Sequence, residues 1–243
     1  MLQSGISARS QTLFAGIKDG FCNSYIVGDF NGYKGYAHRR GFYYGGMINK
    51  SINSDLDLQM EINSLPRGSQ RNEVQEITDP ARFGIKDVPE STKLYARLNT
   101  KTYLNYLEIP FVVKFKFSLS NKIDYYVDLG MDVAYLLEAR QIVSGSSFLY
   151  LDKNLGVHFI DQNNGLPYSI SENHTTNNKA VYHKIDLGTV GGIGFSYKTG
   201  SGKLLMECRF ADGWINIQKH PDMEIDQYNT SIIVSVGYLH QLR

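Results

Sequence analysis

Two cysteines, one tryptophan and six prolines are spread over 243 residues, and each scarcity removes a class of structure. Cys22 and Cys208 are too few for a disulfide-stapled scaffold, and nothing in the sequence brings the two sulfurs together. Cys208 lies among Leu204, Met206 and Phe210, so a free thiol on an apolar strand face is expected. No apolar run approaches the roughly 20 residues that a membrane-spanning helix needs. There is no basic run either, and a formal net charge of +1 gives no electrostatic case for a nucleic-acid partner. Residues Met1–Ser10 lack the basic start, apolar core and cleavage site of a secretory leader. If the chain belongs in a membrane, a mature form with its leader already removed is expected.

What is abundant is Tyr (17) and Gly (23), the composition of β-structure with turns. The clearest stretch runs from Asn105 to Glu138, two strand-like runs around the short linker Ser118–Lys122. In the first, Leu107, Ile109, Phe111, Val113, Phe115 and Phe117 alternate with residues that include Glu108, Lys114 and Lys116. In the second, Tyr125, Val127, Leu129, Met131, Val133, Tyr135 and Leu137 alternate with Asp124, Asp128, Asp132 and Glu138. Successive strand side chains point to opposite faces, so each run has one apolar and one charged face. Both exceed the usual globular strand of about 5–6 residues and fit a tilted transmembrane strand of about 9–11. A mean hydropathy of −0.29 is compatible with this, because barrel strands are apolar on one face only.

The same alternation recurs along the chain. Strands are expected over Gln11–Phe21, Arg39–Asn49, Asp55–Leu65, the two arms of the hairpin, Val181–Tyr197, Lys203–Phe210 and Thr230–His240. Long connections (to about His38, Pro66 to about Asn99, Arg140–Asn178, and from Phe210 through Pro221) alternate with the tight turns Lys50–Ser54, Ser118–Lys122 and Lys198–Gly202. The reading is all-β: an eight-stranded antiparallel up-and-down transmembrane β-barrel, with four long loops on one rim and three tight turns on the other. Residues 11–240 form its single domain, and residues 1–10 form a tail on the turn side. Long outer loops and short inner turns are the asymmetry of outer-membrane barrels.

Periodicity does not say which face points inward, and a soluble lipocalin-like barrel has the same alternation with the faces reversed. Two features favour the apolar face outward. Phe111, Phe115, Phe117, Tyr125, Phe195 and Phe210 would crowd the interior of so small a barrel. The polar faces carry both signs, and groups of both signs can pair across a lumen as buried charges must. Lys18, Glu61, Glu108, Lys114, Lys116, Asp128, Asp132, Lys184, Asp186, Glu207 and Arg209 are therefore expected to form a lumen charge network. Gly130, Gly188, Gly192 and Gly194 on the same faces leave room for the longer side chains.

Sites with chemistry are sparse. The run Gly188–Gly194 is not followed by the Gly-Lys-Ser/Thr of a phosphate loop, and it alternates as a strand. No Gly-x-Ser-x-Gly elbow occurs. Asp128 and Asp132 read as salt-bridge partners rather than an acid–base pair. His158, His174, His183 and His220 fall in or beside loops without a metal-binding spacing. No catalytic residue, metal or cofactor is expected. The long segment Arg140–Asn178 stands apart, because its aromatics Phe148, Tyr150, Phe159 and Tyr168 are expected to pack on the barrel mouth or on a protein partner.

Several segments carry a family resemblance. The run Leu104–Phe115 (Leu-Asn-Tyr-Leu-Glu-Ile-Pro-Phe-Val-Val-Lys-Phe) resembles the Tyr-Leu-Glu-Ile-Pro strand of PorT-like outer-membrane β-barrel proteins. So do Asp128–Leu137, Lys184–Gly194, Met206–Phe210 with Ile215–Ile217, and Val236–Tyr238. The resemblance spans Gln11 to the C-terminus in order. One departure is at the end, where His240 and three further residues replace the closing aromatic. The resemblance implies a Gram-negative outer membrane as location and lipid as surroundings. For function it implies a structural or accessory subunit of an envelope complex, protein secretion of type IX included. A narrow small-solute channel and a soluble ligand-binding barrel are the alternatives.

Overall fold

The computed structural model describes residues 12–28, 36–85, 89, 92–161, 164–219 and 226–242. The predicted tail 1–10 and His220 lie outside them. Nine strands occur among the described residues: β1 (Thr12–Gly28), β2 (Tyr36–Ser51), β3 (Leu56–Ile77), β4 (Leu94–Ser118), β5 (Ile123–Phe148), β6 (Ser169–Asn177), β7 (Ile185–Thr199), β8 (Gly202–Gly213) and β9 (Gln227–Gln241). Eight of them close a ring, β1-β2-β3-β4-β5-β7-β8-β9, with β9 pairing back onto β1 and every pairing antiparallel. The expected barrel is therefore present, and β6 is an addition to it.

The 26-residue β5 explains the extra strand. Its lower half, Ile123–Tyr135, pairs with β7, and its upper part, Arg140–Phe148, pairs with β6. Two segments read from sequence as loops are thus partly ladder: β3 runs on to Ile77, β4 starts at Leu94, and Arg140–Asn178 contains the end of β5 and all of β6. Their outer faces no longer carry the apolar stripe of the lower strands, so that sequence signal disappears while backbone pairing continues. The tight turns fall between β2 and β3, β4 and β5, and β7 and β8, on the rim that also holds Thr12 and Gln241.

Over the lower part of the ring the barrel is inside out. Leu107, Phe111, Phe115, Leu129, Ile193 and Met206 are exposed outward, whereas Glu61, Glu108, Lys114, Asp128, Asp132 and Arg209 are buried inward. From Leu107 to Phe117 this apolar face spans eleven positions of one strand; at a tilt of about 40° that is about 25 Å, the height of a barrel's hydrocarbon band. At the top of the band the polarity inverts. Asn105 faces Glu138 and Tyr106 faces Leu136, so Leu137 is an extra residue in β5 that shifts its facing by one. Above this bulge Leu94, Ala96 and Leu98 are buried on the inner face and Arg97 is exposed on the outer one. Leu94, Ala96, Leu98, Ile85, Leu149 and Ile170 make a small apolar core, flanked by Ile77, Phe83, Val143, Phe159 and Tyr168. One sheet therefore crosses from a hydrocarbon rule to an aqueous rule within a few residues.

An arginine placed on either side of the bulge tests that boundary. Leu129→Arg should cost about 2–4 kcal/mol of folding stability in lipid bilayers. Ser146→Arg, exposed on β5 above the bulge, should stay within about 0.5 kcal/mol of the parent. Denaturant unfolding followed by tryptophan fluorescence reads both, and equal costs would place the boundary elsewhere.

Candidate functional site: the lumen network and the outer rim

Inward positions of six ring strands converge on one cluster at mid-height. The Arg209 guanidinium of β8 donates through Nη1 to Glu61 Oε1 at 2.8 Å, and through Nε and Nη2 to Asp128 Oδ2 at 3.0 and 2.9 Å. Lys18 of β1 bridges Glu61 Oε2 at 2.6 Å and Glu207 Oε1 at 2.7 Å. Lys114 of β4 reaches Glu207 Oε2 at 3.0 Å, and the Tyr126 hydroxyl donates to the same oxygen at 2.9 Å. Lys18, Lys114 and Arg209 thus balance Glu61, Asp128 and Glu207. Every one is buried. Gly192 and Gly194 make the space: a Cβ at Gly192 would lie 2.6 Å from Arg209 Cγ, and one at Gly194 2.4 Å from the Tyr126 ring.

Nearer the outer rim, Arg67 of β3 faces three carboxylates. Its Nη1 is 2.7 Å from Asp186 Oδ2, and its Nη2 is 3.6 Å from Asp132 and 4.0 Å from Glu108. Asn229 donates to Asp186 at 2.9 Å, and Asn63 links the two clusters through Glu61 at 2.9 Å and Glu108 at 3.3 Å. At the turn rim Lys116 pairs with Asp57, and Lys203 lies 3.8 Å from the same carboxylate.

Of the residues assigned to the network from sequence, Glu61, Glu108, Lys114, Lys116, Asp128, Asp132, Asp186, Glu207 and Arg209 lie inside the ring. Lys184 does not. It precedes β7 and is exposed, because the strand starts only at Ile185. Arg67 is the residue that sequence reading missed, having been assigned to a loop. Its signal was parity: Asp57, Gln59, Glu61, Asn63 and Leu65 lead to it in steps of two along one inward face.

At the outer rim the four candidate aromatics separate. Phe159 and Tyr168 pack on the small apolar core, and the Tyr168 hydroxyl donates to the Phe83 carbonyl at 2.8 Å. Tyr150 pairs with Tyr95 and lies 4.7 Å from the His158 ring. Phe148 is exposed, together with Leu151, Val157, Ile160 and Leu166. Backbone N–H groups of Val157, Gly156 and Asn154 donate to the Asp152 carboxylate, which holds it below the usual carboxylate range and shapes the loop. Among the described residues, no group of three or more His, Cys, Asp or Glu is arranged to hold a metal ion. The chemistry offered is ion pairing that fills a lumen and an apolar surface above it.

A family model described as "Outer membrane protein beta-barrel domain" matches residues 9–219. The chain belongs to this family. It is an outer-membrane β-barrel, and its apolar band therefore contacts lipid. No curated protein matches it in sequence. Solved structures with a similar course include Ail, the attachment invasion locus protein of Yersinia pestis, at 11% identity and TM-score 0.40, covering 93% of this chain and 97% of that one. Neisserial surface protein A follows at 12% and 0.43, covering 95% and 97%. The outer membrane protease OmpT of Escherichia coli stands at 11% and 0.35, covering 97% and 99%.

Removing one member of a buried pair strands the others. Arg209→Leu leaves Glu61 and Asp128 without their guanidinium and should cost about 3–5 kcal/mol. Lys184→Leu, at an exposed site, should change stability by no more than about 0.5 kcal/mol. Heat-dependent gel mobility in detergent ranks the two variants against the parent.

Proposed function

We propose that this outer-membrane barrel is a non-conducting structural or accessory subunit of an envelope complex, with its protein-binding surface on the outer rim. Protein secretion is the process that the PorT-like resemblance implies. The observation that carries the reading is the lumen. Eight strands leave an interior just wide enough for side chains, and here Lys18 and Arg209 are each locked between carboxylates and Lys114 is paired with Glu207. A solute path would require those pairs to separate inside a site with little water to receive them. The extended outer sheet supports the second half of the proposal. Its apolar core makes it a rigid platform, and Phe148, Leu151, Val157, Ile160 and Leu166 are held on its surface without cover.

Two measurements test this. Planar-bilayer recordings of the purified barrel should show no steady conductance; an open state whose ion selectivity changes in Asp128→Lys would favour the channel instead. Replacing residues 150–167 by a short Gly-Ser linker should leave the ring intact, because β5 and β6 already meet at Phe148 and Ser169. That variant should keep its heat-dependent mobility and lose proteins that co-purify with the parent. An intact barrel that retains every partner would remove the outer loop as the binding surface.

A further inference from the structure

Among the described residues, one carboxylate stands within the outward apolar band of the ring. Asp19 of β1 has the outward parity of Leu13, Ile17 and Phe21 and is exposed there, while Lys18 and Gly20 beside it point inward. Its neighbours across the ladders are Tyr44 on β2 and Val236 on β9, so it sits where the first and last strands close the barrel. The surrounding surface is apolar and prominent. Ile17 and Phe21 are 71% and 69% exposed, and Phe21, Phe42 and Tyr44 form an aromatic ridge with ring separations of 6.0 and 5.8 Å.

Depth makes the position unusual. Below Asp19 the band ends near Ala15, which faces His240; above, it ends near Asn23, which faces Arg40. Asp19 is four residues from each, roughly 10 Å along the membrane normal at ordinary rise and tilt. It is therefore near the middle of the hydrocarbon. None of the described side chains pairs with it. Ionisable groups at this depth ordinarily face protein or a watery cavity and pair there. Among the described residues, the other mid-depth charges of this barrel do so, inside the lumen.

We propose that the outward face of β9, β1 and β2 around Asp19 is a docking site within the bilayer for a membrane-spanning segment of a different protein, which presents a lysine or arginine to this carboxylate. Charge complementarity selects that occupant. A second copy of the chain does not supply it: among the described residues no Lys or Arg shares the outward apolar band, Arg40 and Lys50 lie at its two edges, and a two-fold pairing would oppose two carboxylates. Lipid tails leave the group unpaired. The surface also has room for an incoming side chain. Gly46 lies outward opposite Ile17, and a Cβ there would meet only the Gly16 carbonyl, at 3.8 Å. This inference deepens the envelope-subunit reading and rests on it, but it concerns a surface that the outer loops do not touch.

The test is photo-crosslinking in native outer membranes, with benzoylphenylalanine at Ile17 or Val236 of the full chain, and at Leu129 on the opposite side of the ring as reference. The expected result is an adduct from Ile17 and Val236, absent from Leu129, whose peptide maps to a membrane-spanning segment of another protein and contains Lys or Arg. Asp19→Lys should reduce its yield at least ten-fold, and exchanging the mapped basic residue for Asp should restore it. If Asp19→Lys barrels fail to assemble, Asp19→Leu serves, since an apolar residue on this face favours assembly, and it should lose the adduct equally. Lipid adducts alone, adducts to a second copy, or a protein adduct indifferent to Asp19 would each overturn the proposal. Loss of this contact with outer-loop partners retained removes only this docking face; loss of both removes the subunit reading.

Discussion

In hydrocarbon a backbone N–H or C=O has no solvent partner, and an unpaired edge costs several kcal/mol per group. Closure of β9 onto β1, from Phe14 to Gly28, answers that constraint. The remaining features follow from it. A ring of eight strands encloses a narrow interior, a narrow interior is filled by side chains, and charged side chains held there must find opposite charges. Lys18, Lys114 and Arg209 set between Glu61, Asp128 and Glu207 are the consequence of closing a sheet around its own polar faces.

The same constraint explains why the sheet changes character at the Leu137 bulge. Below it the outer surface meets lipid, so Leu107, Phe111 and Leu129 point outward and charges go inside. Above it both surfaces can reach water, and burial becomes favourable again on the inner side. Leu94, Ala96, Leu98, Leu149 and Ile170 gather there as in a soluble protein. The apolar core gives the extended outer strands a reason to stay ordered, and it holds the exposed loop residues on a firm base. Scaffold and binding surface are thus two ends of one continuous sheet governed by two solvents.

Alternation from Asn105 to Glu138, with charges of both signs on one face and aromatics on the other, was enough to read the ring, its inverted packing and its two unequal rims. A side chain's parity is a local property, so it survives in the sequence. Most of the lumen residues were legible for the same reason. What only the tertiary structure decided lay where parity and polarity part company. Arg67 and the upper halves of β3, β4 and β5 keep parity but lose the outward apolar stripe, because strands in water need no apolar outer face. Lys184 missed the lumen because β7 begins one residue later. The pairing of Arg209 with Glu61 and Asp128, and of Arg67 with Asp186, depends on ring closure and register, which bring strands far apart in sequence to within a hydrogen bond. A sequence states which way each side chain points along its own strand; only the closed barrel states what it meets there.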